Sequence, residues 1–382
     1  MPVLTWVTMA WRAVKPVLLW AGAMVWTPLR TARVNFEPSS RGGHCGAHRP
    51  VPPCASGTAP PPVTRQAPER TPCRTPPPGP AADSSPPPPP PPPRAPSPSP
   101  APRPRRCRAA GRSADRFGVL RRRWRDLMLG TGFDPAADPY AADLRRTGEL
   151  ARTYRAAMRP GPTALWPDAP FDPPAGITRS YARLHTMAQA YRQPGTGLTG
   201  DTGLATDTLA GLDHLHQRIY HPGTTRYGNW WEWQIGSPRL LLDTLTLLYD
   251  EAPTRLGQHL AAVDHFVPDA MLGDYTGTST GANRVDLCRV VALRGVLGAS
   301  PAKTALARDA LSPVFPHVTR GDGLHADGSF LQHTWVAYSG TYGQVLLDGI
   351  GRLLTLLRGS DWEITDPARQ IVYDSVERAY AP

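Results

Sequence analysis

The sequence predicts an all-α domain of stacked helical hairpins, preceded by a disordered tail rich in proline and arginine. Three observations support this fold class. After residue 114, apolar residues recur at helical spacing in ten stretches of 12 to 20 residues. No stretch in that part alternates polar and apolar residues with the hairpin signals of β-strands. The proline-rich composition also ends there, and helices joined by loops can bury their apolar faces only against one another.

The first predicted helix shows the pattern that defines the others. Phe117, Leu120 and Trp124 share one face of the segment RFGVLRRRWRDLML, and Gly130 is the kind of residue that commonly ends a helix. The ten predicted helices cover residues 117–128, 140–158, 177–191, 205–220, 238–249, 254–266, 284–298, 301–317, 342–357 and 367–380. Several connecting loops are more elaborate than helix packing requires, which is typical of loops that carry function.

The chain divides into three predicted regions: a weakly apolar N-terminus at 1–37, a disordered tail at 38–114 and the folded domain at 115–382. The tail contains eight consecutive prolines at 86–93, and a segment of this composition cannot form a packed core. It could be a linker, a ligand for proline-binding domains or, through its arginine cluster, a nucleic-acid-binding segment. We favour a further alternative, a tail without a specific function or an extended upstream translation start.

The N-terminus contains an apolar run, VLLWAGAMVW at 17–26, that follows Arg12 and Lys15. The run has about half of the roughly 20 residues needed to span a bilayer. Its length fits the hydrophobic region of a signal peptide, and Ala21-Gly22-Ala23 resembles a cleavage motif. The motif lies inside the run instead of after it, so a loosely apolar, unstructured start is the alternative.

The formal net charge of +11 belongs to the residues before the domain. Residues 1–114 contain 15 basic and 3 acidic residues, whereas residues 115–382 contain 27 basic and 28 acidic residues. The predicted domain is therefore nearly neutral, and its charge indicates neither nucleic-acid binding nor membrane binding. We expect it to be a monomer.

Cysteine spacing gives no indication of a metal site. Four of the five cysteines lie within residues 1–114, and their spacings match no zinc motif. Cys288 lies inside a helical pattern, where a small buried apolar residue is the simplest interpretation. We therefore expect neither a metal nor another cofactor.

The densest cluster of aromatic and polar residues is NWWEW at 229–233. It is followed by Ser237 and Pro238, which predicts an exposed aromatic loop leading into a helix with Ser237 as its N-cap and Pro238 as its first residue. Indole rings beside an amide and a carboxylate suit a sugar-binding surface, but they also suit a core corner. Trp233 is the indole that we expect in the core. Glu232 could either support the loop or pair with Arg226 or Arg239.

Two further loops carry polar residues suited to catalysis: YTGTSTGANRVD at 275–286 and DGLHADGSFLQHTWVAYSGTYG at 322–343. Each candidate residue also has a simpler interpretation. Asn283 could cap the helix that follows it, since asparagine is common at that position. His333 and Tyr342 could be buried polar groups with satisfied hydrogen bonds.

Taken together and in this order, the three loops resemble polysaccharide lyase family 8, the hyaluronate, chondroitin and xanthan lyases. The blocks that carry the resemblance are NWW (229–231), IGSP (235–238), TGAN (280–283), VD (285–286), DGSF (327–330), QHT (332–334), AY (337–338) and GTYG (340–343). The resemblance extends over residues 115–382 and excludes the tail.

The resemblance implies an incomplete (α/α) toroid whose concave face binds an acidic polysaccharide. It further implies β-elimination at a uronic acid, with no metal at the chemical centre. Asn283 matches the amide that neutralises the substrate carboxylate, His333 matches the histidine that assists at C5 or the carboxylate, and Tyr342 matches the general base or acid. Asn229, Trp230 and Trp231 match substrate contacts. A base role for Tyr342 requires a nearby positive charge, because an unperturbed tyrosine has a pKa near 10.

The sequence departs from the family pattern after Tyr342. The family carries an arginine-rich loop and β-sandwich domains downstream, whereas this chain ends 40 residues after Tyr342. We therefore expect the N-terminal part of a lyase that is weakly active or inactive by itself. The choice among hyaluronan, chondroitin and xanthan depends on the missing side of the cleft, and the family's polymers imply secretion.

Two other functions remain as alternatives to a lyase. One is a non-catalytic carbohydrate-binding protein that uses the face of Trp230 and Trp231. The other is an interaction protein whose arginine- and proline-rich tail binds nucleic acid or anionic surfaces.

Overall fold

The structure, a computed structural model, describes residues 106–380, with side chains from Arg116 onward. This part contains ten α-helices: α1 (Arg106–Leu129), α2 (Tyr140–Ala157), α3 (Ala175–Arg192), α4 (Thr202–Arg218), α5 (Ser237–Leu247), α6 (Leu256–Phe266), α7 (Gly281–Leu297), α8 (Pro301–Asp309), α9 (Gln344–Leu357) and α10 (Gln370–Ala379). The predicted signal-like segment and most of the predicted tail lie outside the described residues. Helix α1 begins at Arg106, ahead of the predicted start of the domain at residue 115.

The helices form one row with further helices packed on it. In the row, α3 packs against α5, α5 against α7, and α7 against α9. Helices α2 and α4 pack against α3, α8 packs against α7, and α1 contacts α5, α7 and α9. The predicted all-α fold is thus confirmed, and successive packing of this kind is the arrangement of a partial toroid of helical hairpins.

Helix α7 lies at the centre of the row and is buried on all sides. Of its 17 residues, only Arg294 is not buried. A helix surrounded by protein needs a partner for every polar side chain, because an unpaired buried charge is costly. The polar residues of α7 therefore belong either to ion pairs and hydrogen bonds or to a site that receives a ligand.

A three-stranded antiparallel sheet follows α8 and corrects the expectation that the domain has no strands. Its strands are β1 (Gly323–Leu324), β2 (Phe330–Gln332) and β3 (Val336–Ala337), in the order β1-β2-β3. Leu324 pairs with Phe330, and Gln332 pairs with Val336. Strands of two or three residues are too short to show a periodic pattern, so hydrophobic periodicity could not predict them.

Two π-helical turns precede helices of the row. One, Glu232–Gly236, leads into α5, and the other, Ser339–Gly343, leads into α9. Each inserts an extra residue per turn just before a regular helix, a feature often found at functional sites. Within residues 106–380, no helix is both long enough and apolar enough to span a membrane.

Candidate functional site

All six residues singled out from the sequence line one pocket of about 250 Å³, which we call the site pocket. They are Asn229, Trp230, Trp231, Asn283, His333 and Tyr342. The residues come from three separate loops, so only the packing of the row brings them together. The pocket contains two indoles, two amides, an imidazole and a phenol, and none of these lining groups is a lysine or an arginine.

Residues near the N-terminal ends of three neighbouring helical segments line this pocket. Trp230 and Trp231 are the first helical residues ahead of the turn that leads into α5. Asn283 is the third residue of α7, and Tyr342 lies in the turn that leads into α9. Helix N-termini carry partial positive charge, so three of them at one pocket favour a negatively charged ligand.

The tryptophan cluster is helical, which corrects the prediction of an exposed loop with Ser237 as N-cap. The helix starts at Trp230 and continues through the π-helical turn into α5. Ser237 is buried inside it, with its hydroxyl 2.9 Å from Oγ1 of Thr178. Asn229 takes the capping position instead, since its side-chain oxygen accepts a hydrogen bond from the Trp231 N–H at 3.2 Å.

The three indoles of the cluster have different environments. Trp233 is 1% exposed, and its Nε1 donates to the carbonyl oxygen of Tyr227 at 2.8 Å, so its predicted core position is confirmed. Trp230 and Trp231 are half-buried at the pocket. Of the two alternatives for Glu232, an ion pair with Arg226 or Arg239 does not occur within residues 116–380, where Arg239 instead pairs with Asp286 at 2.8 Å.

Asn283 is held inside the protein with its side chain at the pocket. It is 5% exposed, and its side chain makes no hydrogen bond to any other described residue. The alternative of a helix cap is wrong, because α7 begins two residues earlier at Gly281. A buried amide without a protein partner is a group available for a polar ligand.

His333, Tyr338 and Tyr342 form a cluster of aromatic rings beside Asn283. The ring centroids of His333 and Tyr342 are 5.1 Å apart, and the two rings are nearly perpendicular. Tyr338 lies 5.9 Å from His333 and 5.1 Å from Tyr342 between ring centroids. Sequence reasoning gave no role to Tyr338, although its AY block lies four residues before Tyr342.

The environment of Tyr342 favours the protonated phenol. Burial raises the pKa of Tyr342, and the neighbouring Tyr338 and Asp286 raise it further. A base role would need a cation beside the phenol, and no lysine or arginine is among the described residues that line the pocket. This phenol is therefore suited to donating a proton.

Sequence reasoning also gave no role to Asp286, which lies in the VD block one helical turn after Asn283. Its carboxyl group is buried, and burial raises its pKa despite the opposing effects of Arg239 and Arg289. The spacing of three residues places Asp286 on the same helix face as Asn283, and this spacing can be recognised in the sequence.

No group of three or more metal-ligating side chains occurs within the described part of the chain. The site pocket has one imidazole and no carboxylate among its lining residues, which is too few for a structural or catalytic zinc site.

Comparison with known proteins gives the family. Residues 124–382 match the sequence profile of polysaccharide lyase family 8, N terminal alpha-helical domain. The chain is 45% identical over 272 residues to a hyaluronate lyase of Thermasporomyces composti, covering 71% of this chain and 34% of that protein. It is 36% identical over 281 residues to a xanthan lyase of Bacillus sp. (strain GL1), covering 71% of this chain and 29% of that protein.

A solved structure shows the same arrangement of helices. The chondroitin AC lyase of Streptomyces coelicolor A3 in complex with chondroitin sulphate is 71% identical, with a TM-score of 0.69. The match covers 69% of this chain and 36% of that one. The chain thus spans about a third of the length of these relatives. Since the profile covers more than half of this sequence, the chain belongs to polysaccharide lyase family 8.

Proposed function

We propose that this chain provides the amide, imidazole and phenol of a site that cleaves uronic-acid-containing polysaccharides by β-elimination. The observation that carries the proposal is the convergence of Asn283, His333 and Tyr342 on one pocket beside two half-buried indoles. The class of substrate is supported by relatives that are named as hyaluronate, xanthan and chondroitin AC lyases. Since such polymers are extracellular, we also propose that the protein is secreted, and that it acts as a monomer.

In this proposal the substrate carboxylate lies against Asn283. Loss of the C5 proton places negative charge next to that carboxylate, so the charge must be shared with hydrogen-bond donors. The Asn283 amide is a buried donor that makes no hydrogen bond to another described side chain or backbone group, and the nearby N-terminal ends of three helical segments add a favourable field.

The His333 imidazole and the Tyr342 phenol each carry one of the two proton transfers. His333 takes the proton from C5, the C4–O bond breaks as the C4=C5 double bond forms, and Tyr342 protonates the leaving oxygen. A phenol whose pKa is raised by burial keeps its proton at neutral pH, which suits the acid step. Transfer of a proton from the imidazolium to the phenolate restores the starting state.

The test measures unsaturated uronate formed by the purified chain on hyaluronan, chondroitin sulphate and xanthan. We expect slow product formation, because the described pocket lining offers no cation to the substrate carboxylate. Tyr342→Phe should lower the rate by about 100-fold or more, the scale of a lost general acid, with polysaccharide binding unchanged. Equal turnover by the wild-type chain and the Tyr342→Phe variant would contradict the assignment.

Non-catalytic carbohydrate binding is the second candidate, and the half-buried indoles Trp230 and Trp231 favour it. Indoles stack on the apolar faces of sugar rings without any chemical step. Binding without product, unchanged in Tyr342→Phe but lost when both tryptophans are replaced by alanine, would select this function over elimination.

A further inference from the structure

The turn that carries His333 has a strained backbone. His333 and Thr334 adopt positive φ angles of 55° and 76°, in the left-handed region that residues other than glycine rarely occupy. Two consecutive residues of this kind, one of them β-branched, are conformationally unfavourable. Such a turn persists only where surrounding contacts hold it in place.

The half-buried side chain of Asp322 supplies those contacts. Its Oδ1 accepts a hydrogen bond from the backbone N–H of Thr334 at 2.6 Å. Its Oδ2 accepts from the Thr280 hydroxyl at 2.8 Å and from Nε2 of Gln332 at 2.7 Å. One carboxylate therefore joins the His333 turn to Thr280, the residue immediately before α7.

Gln332 extends this connection to the first turn of α7. It is 1% exposed, and its Oε1 accepts from the backbone N–H of Ala282 at 3.0 Å. A Cβ at Gly281 would lie 2.4 Å from that oxygen, and Gly281 itself has a φ of +52°. Glycine is thus required at the point where Gln332 meets the helix.

We propose that Asp322 is a positioning residue that, together with Gln332, fixes the turn of His333 against the helix end that carries Asn283. We call this pair the Asp322–Gln332 clamp. Asp322 touches neither ring of the site, so it acts through the backbone of Thr334 and through Gln332. The inference rests on the proposed function, because it gives the clamp the task of holding imidazole and amide at one uronate unit.

The hydrogen-bond polarity of the clamp gives a sharp test. Asp322→Asn replaces a carboxylate, which only accepts hydrogen bonds, with an amide that has one accepting oxygen and one donating NH2 group. Because Thr334 and Gln332 both donate to this side chain, one of them then faces the NH2 group instead of an acceptor. Gln332→Glu places a second carboxylate against Asp322 and removes the N–H group that donates to Asp322 Oδ2. Each single variant should lower kcat by about 10- to 100-fold, the scale of a misplacement near 1 Å, with a smaller change in KM.

The double variant Asp322→Asn with Gln332→Glu should recover much of the lost kcat. The new carboxylate accepts from Ala282 and from the asparagine amide, while the asparagine oxygen accepts from Thr334. The total charge and the number of hydrogen bonds are then close to those of the wild type. If the fold-loss of kcat in the double variant equals the product of the fold-losses in the two single variants, the proposal is overturned.

Asp327→Asn is the matched control. Asp327 lies in the same segment, and within residues 116–380 it accepts hydrogen bonds only from Ser329 and has no link to α7. We expect its kcat to equal that of the wild type. A loss in this control equal to the loss in Asp322→Asn would mean that the whole segment is merely fragile.

Amide hydrogen exchange tests the clamp without turnover. In Asp322→Asn, exchange should accelerate at Thr334 and also at Ala282, which Asp322 does not touch. Unchanged exchange at Ala282 would overturn the clamp, even if activity falls. If the wild-type chain forms no product while Ala282 responds as expected, the clamp stands as a structural link, but both the proposed function and the positioning role fail.

Discussion

At the scale of single residues, the buried Arg289 of α7 is paired with a buried carboxylate of a neighbouring helix. The guanidinium group of Arg289 lies 2.6 Å from Oδ2 of Asp243, and both side chains are buried. Trp124 donates from Nε1 to Oδ1 of the same carboxylate at 2.8 Å, with the Arg289 guanidinium 4.9 Å from its ring centroid. Three helices, α1, α5 and α7, therefore meet at one carboxylate.

Arg284, which directly follows Asn283, shows a second way to bury a cation. It is 1% exposed and donates to the carbonyl oxygens of Ala310 and Gly273 and to the hydroxyl of Ser279. Its partners are neutral groups in the loop before α7 and at the C-terminal end of α8. This arginine thus fixes the loop that leads to Asn283, and it does not offer its charge to the site pocket.

Asp243→Asn should destabilise the domain by about 3 to 5 kcal/mol, because it leaves the buried Arg289 without a counter-charge. Urea unfolding followed by circular dichroism measures the change. Asp168→Asn provides the comparison, since the ion pair with Arg183 has a carboxylate that is 66% exposed. That change should cost about 0 to 1 kcal/mol, and similar losses in both variants would refute the special role of the buried pair.

At the scale of elements, the two π-helical turns shape the pocket walls. In the first, the ring of Trp231 lies directly over Gly236, where an added Cβ would come within 2.5 Å of Cζ3. Thr178 approaches the same position at 3.0 Å. Gly236 has ordinary helical angles, so its requirement for glycine comes from this close contact alone.

Gly236→Ala should therefore displace the Trp231 ring and destabilise the domain by about 1 to 3 kcal/mol, the cost of overpacking. We also expect weaker polysaccharide binding, measured by titration calorimetry. Gly351→Ala is the control, because a Cβ there meets nothing within 4 Å and α9 gains a better helix former. The control should be stabilised by about 0.5 to 1 kcal/mol, and stabilisation of Gly236→Ala would contradict the steric argument.

At the scale of the whole molecule, the partly buried histidines His185 and His216 favour the uncharged form in the folded chain. Burial lowers the pKa of His185, an effect opposed by Asp243 and reinforced by Arg289. Burial and the neighbouring His259 lower the pKa of His216. Both groups bind protons more readily in the unfolded chain than in the folded one.

Acid should consequently destabilise the fold well before carboxylates titrate. A depressed folded pKa gives stability that is complete above the unfolded value of about 6.5 and is lost as pH falls through the folded value. We expect the Tm to fall between pH 7.5 and pH 5.5 in thermal scans. His185→Leu removes one titrating group and should make the decline shallower, whereas an unchanged slope would exclude His185 as a contributor.

Several features of the molecule were predictable from local patterns. Helical spacing identified the helices, since burial of one face imposes a period near 3.6 residues on the sequence. The six residues of the pocket were identifiable because they lie in motif blocks of a recognised family. The short strands and the helical start at Trp230 were not predictable, because a strand of two residues and a π-helical turn leave no periodic signal.

The sequence by itself determined the fold class, the family and the identity of the residues at the pocket. Only the tertiary structure decided which helix ends meet and which charges are paired. It also decided that Asn229 caps the helix and that Asp322 holds the turn of His333. The physical reason is that periodicity and capping act over a few residues, whereas contacts between α5, α7 and α9 depend on how separate segments pack.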